Sequence, residues 1–353
     1  MNIHLSREVK FLNDFIRFLS KLDKNGNNLI YLNHQSGKKL AAEYSSHIRI
    51  DNYFYSNAFL KILFSKNINQ LFLHAISYNY LPAILICRLK KIKINWVFFG
   101  GEFYNTFYAD AYNLEAEAWY KKYTRVFRKK IYKFIIDKID AIAHFNEAEV
   151  ELVNEYLKTN LPRVPFQFTR IAVNFTTLEK YKGAAHQVKI PRALLSNSAA
   201  LHHRHHELIR RFSHLKEIKF GFILSYGGHE SYIKDLKEKA RNAFGANVLF
   251  HEEYLSYTGY VELLSSYNIM FWNSNRTGGV GTILIGLYLG MQVYLPSGVP
   301  VFKLLKSYGI EVFDVAEFNL ANIKRGANPD NPHLVTHFFG AERVRSYYKS
   351  LFL

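Results

Sequence analysis

Cysteine is almost missing from this chain: Cys87 is the only one in 353 residues. That excludes a disulfide framework and a cysteine-built metal site, and it fits a reducing compartment. Acid is scarce too, with 29 Asp and Glu against 46 Lys and Arg, a formal charge of +17. Long apolar runs are missing. The longest uncharged stretches, Ile68–Cys87 and Thr277–Phe302, are broken by polar residues, glycines and prolines. A membrane-spanning helix needs about 20 mostly apolar residues, so both read as buried strand–loop–helix units. The opening MNIHLSREVKF lacks an apolar core followed by small residues, which predicts no secretory signal.

What is abundant is aromatic: 25 Tyr, 29 Phe and 3 Trp. The hydrophobic fraction of 49% excludes disorder as the dominant state. The basic excess is spread along the chain. Residues 1–178 hold 25 basic and 15 acidic side chains (+10), and the remainder holds 21 and 14 (+7). No detachable basic tail exists. Such a field attracts phosphates, whether on nucleic acid, an anionic membrane or a nucleotide.

Length predicts two domains. Short apolar runs alternate with amphipathic ones, as βαβ units of a parallel sheet do. In the first half, strands are expected at Leu29–Leu32, His47–Ile50, Gln70–His74, Ile94–Phe99 and Ala141–His144. Helices are expected at Glu8–Leu22, Asn57–Phe64 and Pro82–Leu89. In the second half, strands are expected at Ala193–Leu195, Ile218–Leu224, Asn247–Phe250, Ile269–Trp272, Gln292–Leu295 and Glu311–Phe313. A helix is expected from near His202, and another over His337–Leu353. The polar stretch LEKYKGAAHQVKIP reads as a linker. The expected division is a domain at 1–178, a linker at 179–192, a domain at 193–336, and a terminal helix at 337–353 packing back on the first domain. Ligands of open α/β sheets bind beyond the carboxyl ends of the strands. Two such halves suit a sugar-nucleotide enzyme of the GT-B type, with Rossmann-like domains facing across a crevice. Periplasmic binding proteins share the plan but need a signal peptide.

Six segments carry candidate chemistry. In Phe271–Gly290 a strand runs into Asn275 and Arg276, then, after Thr277, into Gly278, Gly279, Val280, Gly281 and Thr282 at the start of an apolar helix. Glycine lets backbone approach a ligand, and a helix N-terminus favours phosphate. The turn is neither a Walker loop nor GxGxxG. In LLSNSAALHHRHH, Asn197 and Ser198 end a strand and can bond a diphosphate or sugar. His202 and His206 have zinc spacing, but without cysteine or an HExxH pattern they read as a polar helix start. Ser225, Tyr226 and Gly227 end a third strand of the same sheet. Glu252 and Tyr254 follow a fourth, placed to hold ribose hydroxyls and stack on a base. In the first half, Glu102 follows Gly100-Gly101 at a strand end, a candidate general base for a sugar hydroxyl. Finally, Trp119–Lys138 is a basic amphipathic helix. Trp119, Lys121, Lys122, Arg125, Arg128, Lys129, Lys130 and Lys133 make it a candidate for binding an anionic membrane or its lipid-linked substrate.

These segments resemble glycosyltransferase family 56, the TDP-N-acetylfucosamine:lipid-linked-disaccharide N-acetylfucosaminyltransferases of enterobacterial common antigen. The resemblance rests on HLSREVKFLNDFI, NWVFFGGEFYN, LLSNSAALHH, ILSYGGHESY and FWNSNRTGGVGTILIGLYLGMQVYL. It departs at Thr277-Gly278, where the family tends to carry glutamines. The resemblance implies a GT-B transferase. A C-terminal domain would hold a dTDP-linked 4-acetamido-4,6-dideoxyhexose or similar sugar. An N-terminal domain would hold a polyprenyl-pyrophosphate-linked glycan acceptor, at the cytoplasmic face of the bacterial inner membrane. GT-B enzymes generally need no metal, and no DxD-type pair stands at a matching strand end, so neither a metal nor another cofactor is expected. Glu252 keeps open a GT-B-like sugar-nucleotide epimerase. The charge and aromatics keep open a nucleic-acid-binding protein, although no recognition motif is present.

Overall fold

A computed structural model describes residues 1–7, 12–32, 44, 48–50, 57–64, 67–108, 119–168, 175–323 and 327–353, with backbone alone at 48–50, 58, 119–123, 176–177 and 322. The chain divides into two units, Met1–Ile171 with Ala341–Leu353, and Ala172–Gly340.

Unit 1 is built on a seven-stranded, wholly parallel sheet. Its strands are β1 (Asn2–Ser6), β2 (Asn28–Leu32), β3 (Ile48–Ile50), β4 (Gln70–His74), β5 (Lys93–Val97), β6 (Ala141–His144) and β7 (Arg163–Pro165), in the order β3-β2-β1-β4-β5-β6-β7. Parallel strands are covered on both faces. Accordingly all five residues of β1 are buried, including Asn2, His4 and Ser6. That strand is not readable from apolar pattern, because three of its five side chains are polar. They are tolerated because they are bonded. Asn2 Nδ2 donates to Asn28 Oδ1 at 3.0 Å, and His4 Nδ1 lies 3.0 Å from His74 Nε2. The helix Glu147–Leu157 and strand β7 likewise lie outside the elements expected from the sequence.

The terminal helix Ala341–Phe352 belongs to unit 1. Its docking is aromatic. Tyr348 stacks on Phe166 at 5.6 Å and meets Phe18 edge-on at 5.3 Å, while Phe352 sits edge-on to His4 and Phe72. The single helix expected over His337–Leu353 is two, Asn331–Phe339 and Ala341–Phe352, split at Gly340. Gly340 is extended, and a Cβ there would lie 2.4 Å from the Thr336 carbonyl oxygen.

Unit 2 carries a six-stranded parallel sheet: β8 (Arg192–Leu195), β9 (Lys219–Ile223), β10 (Val248–His251), β11 (Ile269–Phe271), β12 (Gln292–Leu295) and β13 (Phe313–Asp314), ordered β10-β9-β8-β11-β12-β13. The order reverses at β8, between β9 and β11, the position where open sheets form ligand sites. Residues 179–192 pack onto unit 2. Tyr181 donates to Glu262 at 2.8 Å, Ala185 N to the Leu289 carbonyl at 3.0 Å, and Tyr288 to Glu179 at 2.5 Å. The buried methyl of Ala185 explains why a polar stretch is held down.

Candidate functional site

Three strand ends of unit 2 meet. The chain leaves β8 through Ser196, which is fully buried with a φ of 64° and whose N–H is bonded to the Phe271 carbonyl at 3.0 Å. A serine in the left-handed region is uncommon. Here the turn aims Asn197 and Ser198, both buried, past the strand end. The turn after β9 closes on them. Ala199 N donates to the Tyr226 carbonyl at 3.0 Å, and a Cβ on Gly228 would lie 2.5 Å from the Ala199 carbonyl oxygen. Ser225 is half-buried and Tyr226 exposed. Partial desolvation of its hydroxyl, with the nearby Tyr254, pushes Tyr226 up to about 12.

The third end follows β11. Ser274, fully buried, folds the chain back by accepting from Arg276 N at 3.3 Å and donating to the Arg276 carbonyl at 3.0 Å. Gly279 then caps the helix Val280–Tyr288 in the left-handed region, at φ 58°. A Cβ there would lie 2.0 Å from Trp272, so glycine is required by both backbone and space. The first turn of this helix presents the positive end of its dipole. Two bonds tie it to its neighbours. Thr282 Oγ1 accepts from Asn197 Nδ2 at 3.3 Å and lies 2.8 Å from the Tyr260 hydroxyl. The guanidinium of Arg276 reaches His202 Nδ1 at 3.3 Å.

Several buried polar atoms here have no hydrogen-bond partner among the described residues: Ser196 Oγ, His203 Nδ1, Trp272 Nε1 and Thr277 Oγ1. Native structures hold few such atoms, and each calls for a reason. A polar ligand at the strand ends is one.

The structure thus brings together Asn197, Ser198, Tyr226, Gly227, Arg276, Gly279 and Thr282, with Val280 and Gly281 in the first helical turn. Asn275 lies in the turn between Ser274 and Arg276. Tyr254 is exposed beside Tyr226. The carboxylate of Glu252 is paired with Lys237 at 2.7 Å. The histidines are not a polar helix start. His203 and His205 are buried, and His202 and His205 are held down to about 3, chiefly by desolvation. The helix proper is His205–Phe212, after a single turn Leu201–His203. Among the described residues no group of His, Cys, Asp and Glu is arranged to hold a metal ion. Sequence reasoning missed Ser196, His202, Tyr260, Trp272 and Ser274 as parts of this site. Only the run of histidines gives a signal, and its spacing reads as a polar helix start.

In unit 1, Glu102 lies in a one-turn helix, Gly101–Tyr104, beyond β5. Its Oε1 accepts from the Trp96 indole at 2.9 Å and from Phe99 N at 3.0 Å, which fixes the carboxylate's direction. On β1 and β4, His4 and His74 are buried and uncharged, with His4 held down to about 4 by desolvation. The helix Trp119–Ile136 turns Ile131, Tyr132, Ile135 and Ile136 to the core. Val126, Phe127 and Phe134 on the same helix are exposed, at 50, 68 and 45%. Arg128 and Lys130 are exposed with them and Arg125 and Lys129 are half-buried, while Lys133 is bonded to the Leu157 carbonyl at 2.9 Å and to Asp137 at 3.3 Å. The side chains of Trp119, Lys121 and Lys122 lie outside the described residues.

The sequence profile of 4-alpha-L-fucosyltransferase, glycosyl transferase group 56, matches residues 4–327. The chain belongs to this family. It is a glycosyltransferase. No curated protein sequence matches it. Among solved structures, a glycosyltransferase from Rickettsia africae covers 99% of this chain and 98% of its own, at 12% identity and TM-score 0.65. HepE from Anabaena in complex with UDP covers 99% and 99%, at 10% identity and TM-score 0.63. The lipopolysaccharide outer core galactosyltransferase WaaB covers 99% and 98%, at 10% identity and TM-score 0.64. The group 56 chain therefore has the two-domain α/β GT-B fold.

Proposed function

We propose that this group 56 enzyme moves a 6-deoxyhexose, a 4-acetamido-4,6-dideoxyhexose or a close relative, from a dTDP-linked donor to a polyprenyl-pyrophosphate-linked glycan. The reaction serves bacterial surface polysaccharide synthesis, with the enzyme resting peripherally on the cytoplasmic face of the inner membrane. The observation that carries the donor half is the meeting of Arg276, the Gly279-capped helix and the Asn197–Ser198 turn at the carboxyl ends of unit 2. A guanidinium and a helix N-terminus are the two groups that stabilise a leaving diphosphate without a metal. Tyr226 and Tyr254 offer aromatic surface to the base. The fucosyltransferase description of the family supports a deoxyhexose. The exposed apolar and basic side chains of Trp119–Ile136 support an anionic membrane surface rather than nucleic acid. In this scheme Glu102 deprotonates or orients the attacking hydroxyl, and its two N–H partners hold it ready.

A thermal-shift panel of dTDP, UDP, GDP and single-stranded DNA tests the reading. Stabilisation by dTDP above the other nucleotides is expected; stabilisation by DNA alone overturns it. Arg276→Ala should weaken dTDP binding by about 1.5–3 kcal/mol, the cost of losing a charged hydrogen-bond partner. Unchanged affinity by calorimetry removes Arg276 from the donor site.

A further inference from the structure

An arginine that must meet a diphosphate is a poor clamp if its long side chain is free, since ordering it on each binding event opposes affinity. Arg276 is not free. Its backbone is pinned by the two bonds to buried Ser274, and its following residues are pinned by Gly279 against Trp272. At the far end of its side chain, the guanidinium meets His202 Nδ1 at 3.3 Å.

That contact determines the chemistry of the histidine. A guanidinium carries donors only, so Nδ1 must present its lone pair and the ring proton must be on Nε2. His202 is accordingly neutral. Desolvation, helped by the charge of Arg276 itself, holds it down to about 3. A protonated imidazole could not accept from the guanidinium and would repel it.

We propose that His202 is a positioning residue for donor binding: a neutral acceptor strut that holds the Arg276 guanidinium beside the N-terminus of the helix Val280–Tyr288 before the diphosphate arrives. The strut comes from the turn after β8 and the arginine from the turn after β11, so the contact also ties two strand ends of the site together. The inference rests on the donor-site reading above.

The test uses the full-length enzyme, dTDP calorimetry and steady-state kinetics in the donor. His202→Leu keeps the volume and removes the acceptor, and His202→Ala removes both. His202→Asn places an amide oxygen near the position of Nδ1. The Leu or Ala variant should weaken dTDP about tenfold and raise donor KM with a smaller change in kcat. The Asn variant should recover affinity to within about threefold. In an Arg276→Ala background, the same His202 substitutions should change affinity little, because the strut then has nothing to hold. Thermal melts identify which variants fold, and whichever acceptor-less variant folds is compared with Asn. Wild-type affinity in that variant, alongside a weakened Arg276→Ala, overturns the strut and leaves the donor site standing. An equal loss with and without Arg276, or no recovery by Asn, makes His202 merely structural and also overturns it. Wild-type affinity in Arg276→Ala brings down the donor-site reading and the strut with it.

Discussion

In unit 1 one set of buried polar side chains, on β2, β1 and β4 with Asp23 beside them, is bonded in series across the sheet. Asp23 accepts from Asn28 Nδ2 at 2.8 Å, Asn28 Oδ1 meets His4 Nε2 at 3.2 Å, and His4 Nδ1 meets His74 Nε2 at 3.0 Å. In unit 2 the central strands β8 and β11 carry RALL and IMF, and the polar residues begin one or two positions past their ends, at Ser196 and Asn273. The first arrangement spends its hydrogen-bonding capacity on register, since a one-residue slip would leave every member unpaired. The second leaves polar atoms at the edge where a ligand can meet them. Polarity within a strand therefore speaks for folding, and polarity just beyond one speaks for binding.

The largest effect expected concerns the one strand-end residue of unit 1 assigned to chemistry. Glu102→Gln keeps an oxygen for Trp96 and Phe99 and removes the charge. Turnover should fall by about 10²–10⁴-fold with dTDP affinity unchanged, the range typical of a general base. Turnover within about tenfold of wild type would confine unit 1's contribution to binding and packing. Loss of donor affinity as well would assign Glu102 to the donor side.

Next comes the buried series. Asn28→Ala removes the partner shared by Asp23, His4 and Asn2. A loss of roughly 3 kcal/mol in stability is expected from the stranded groups, with dTDP affinity intact in the folded fraction. Chemical denaturation and calorimetry on the same sample decide the matter. A change in donor affinity would blur the division between the two units.

Acid probes both units at once. His4 and His144 in unit 1 are held down to about 4, and His202 and His205 in unit 2 to about 3, chiefly by burial. In the unfolded chain each returns to about 6.5. The folded state thus favours the neutral ring. Its stabilising contribution is complete above pH 6.5 and is lost as the pH falls from there toward 4, as the unfolded chain takes up protons first. Melting temperature should be flat at neutral pH and decline steadily between about pH 6.5 and 4. A flat profile across that window would show that the imidazoles are protonated in the fold.

The smallest effect is at the surface. Phe127→Glu with Arg128→Glu places charge on the exposed side of the helix Trp119–Ile136. Each basic residue near an anionic membrane contributes about 1 kcal/mol, weakened by salt. Flotation with anionic vesicles should drop for the double variant and for wild type in high salt. Equal binding to neutral and anionic vesicles would remove the electrostatic part of the membrane proposal.

Much of this was legible in the residues alone. β4, INWV of β5, β8, β9, β11 and β12 are short apolar runs between turn residues, and burial on both faces of a parallel sheet demands that pattern. Arg276, Gly279 and Thr282 could be read as a phosphate-friendly turn because glycine, arginine and a helix start have the same chemistry in any fold. β1 was not legible, because Asn2, His4 and Ser6 are acceptable inside a sheet only once Asn28 and His74 are beside them. Residues 179–192 look like a linker until Ala185 meets the Leu289 carbonyl and Tyr181 meets Glu262. What the sequence determined by itself is local: where strands begin and end, which turns need glycine, and how charge is distributed. Tertiary structure decided which polar groups are already spent on one another and which still face a ligand. It paired Glu252 with Lys237, withdrew His203 and His205 from water, and set His202 against Arg276, across 74 residues of chain. Hydrogen bonding and desolvation depend on neighbours in space, and a sequence records neighbours only along the chain.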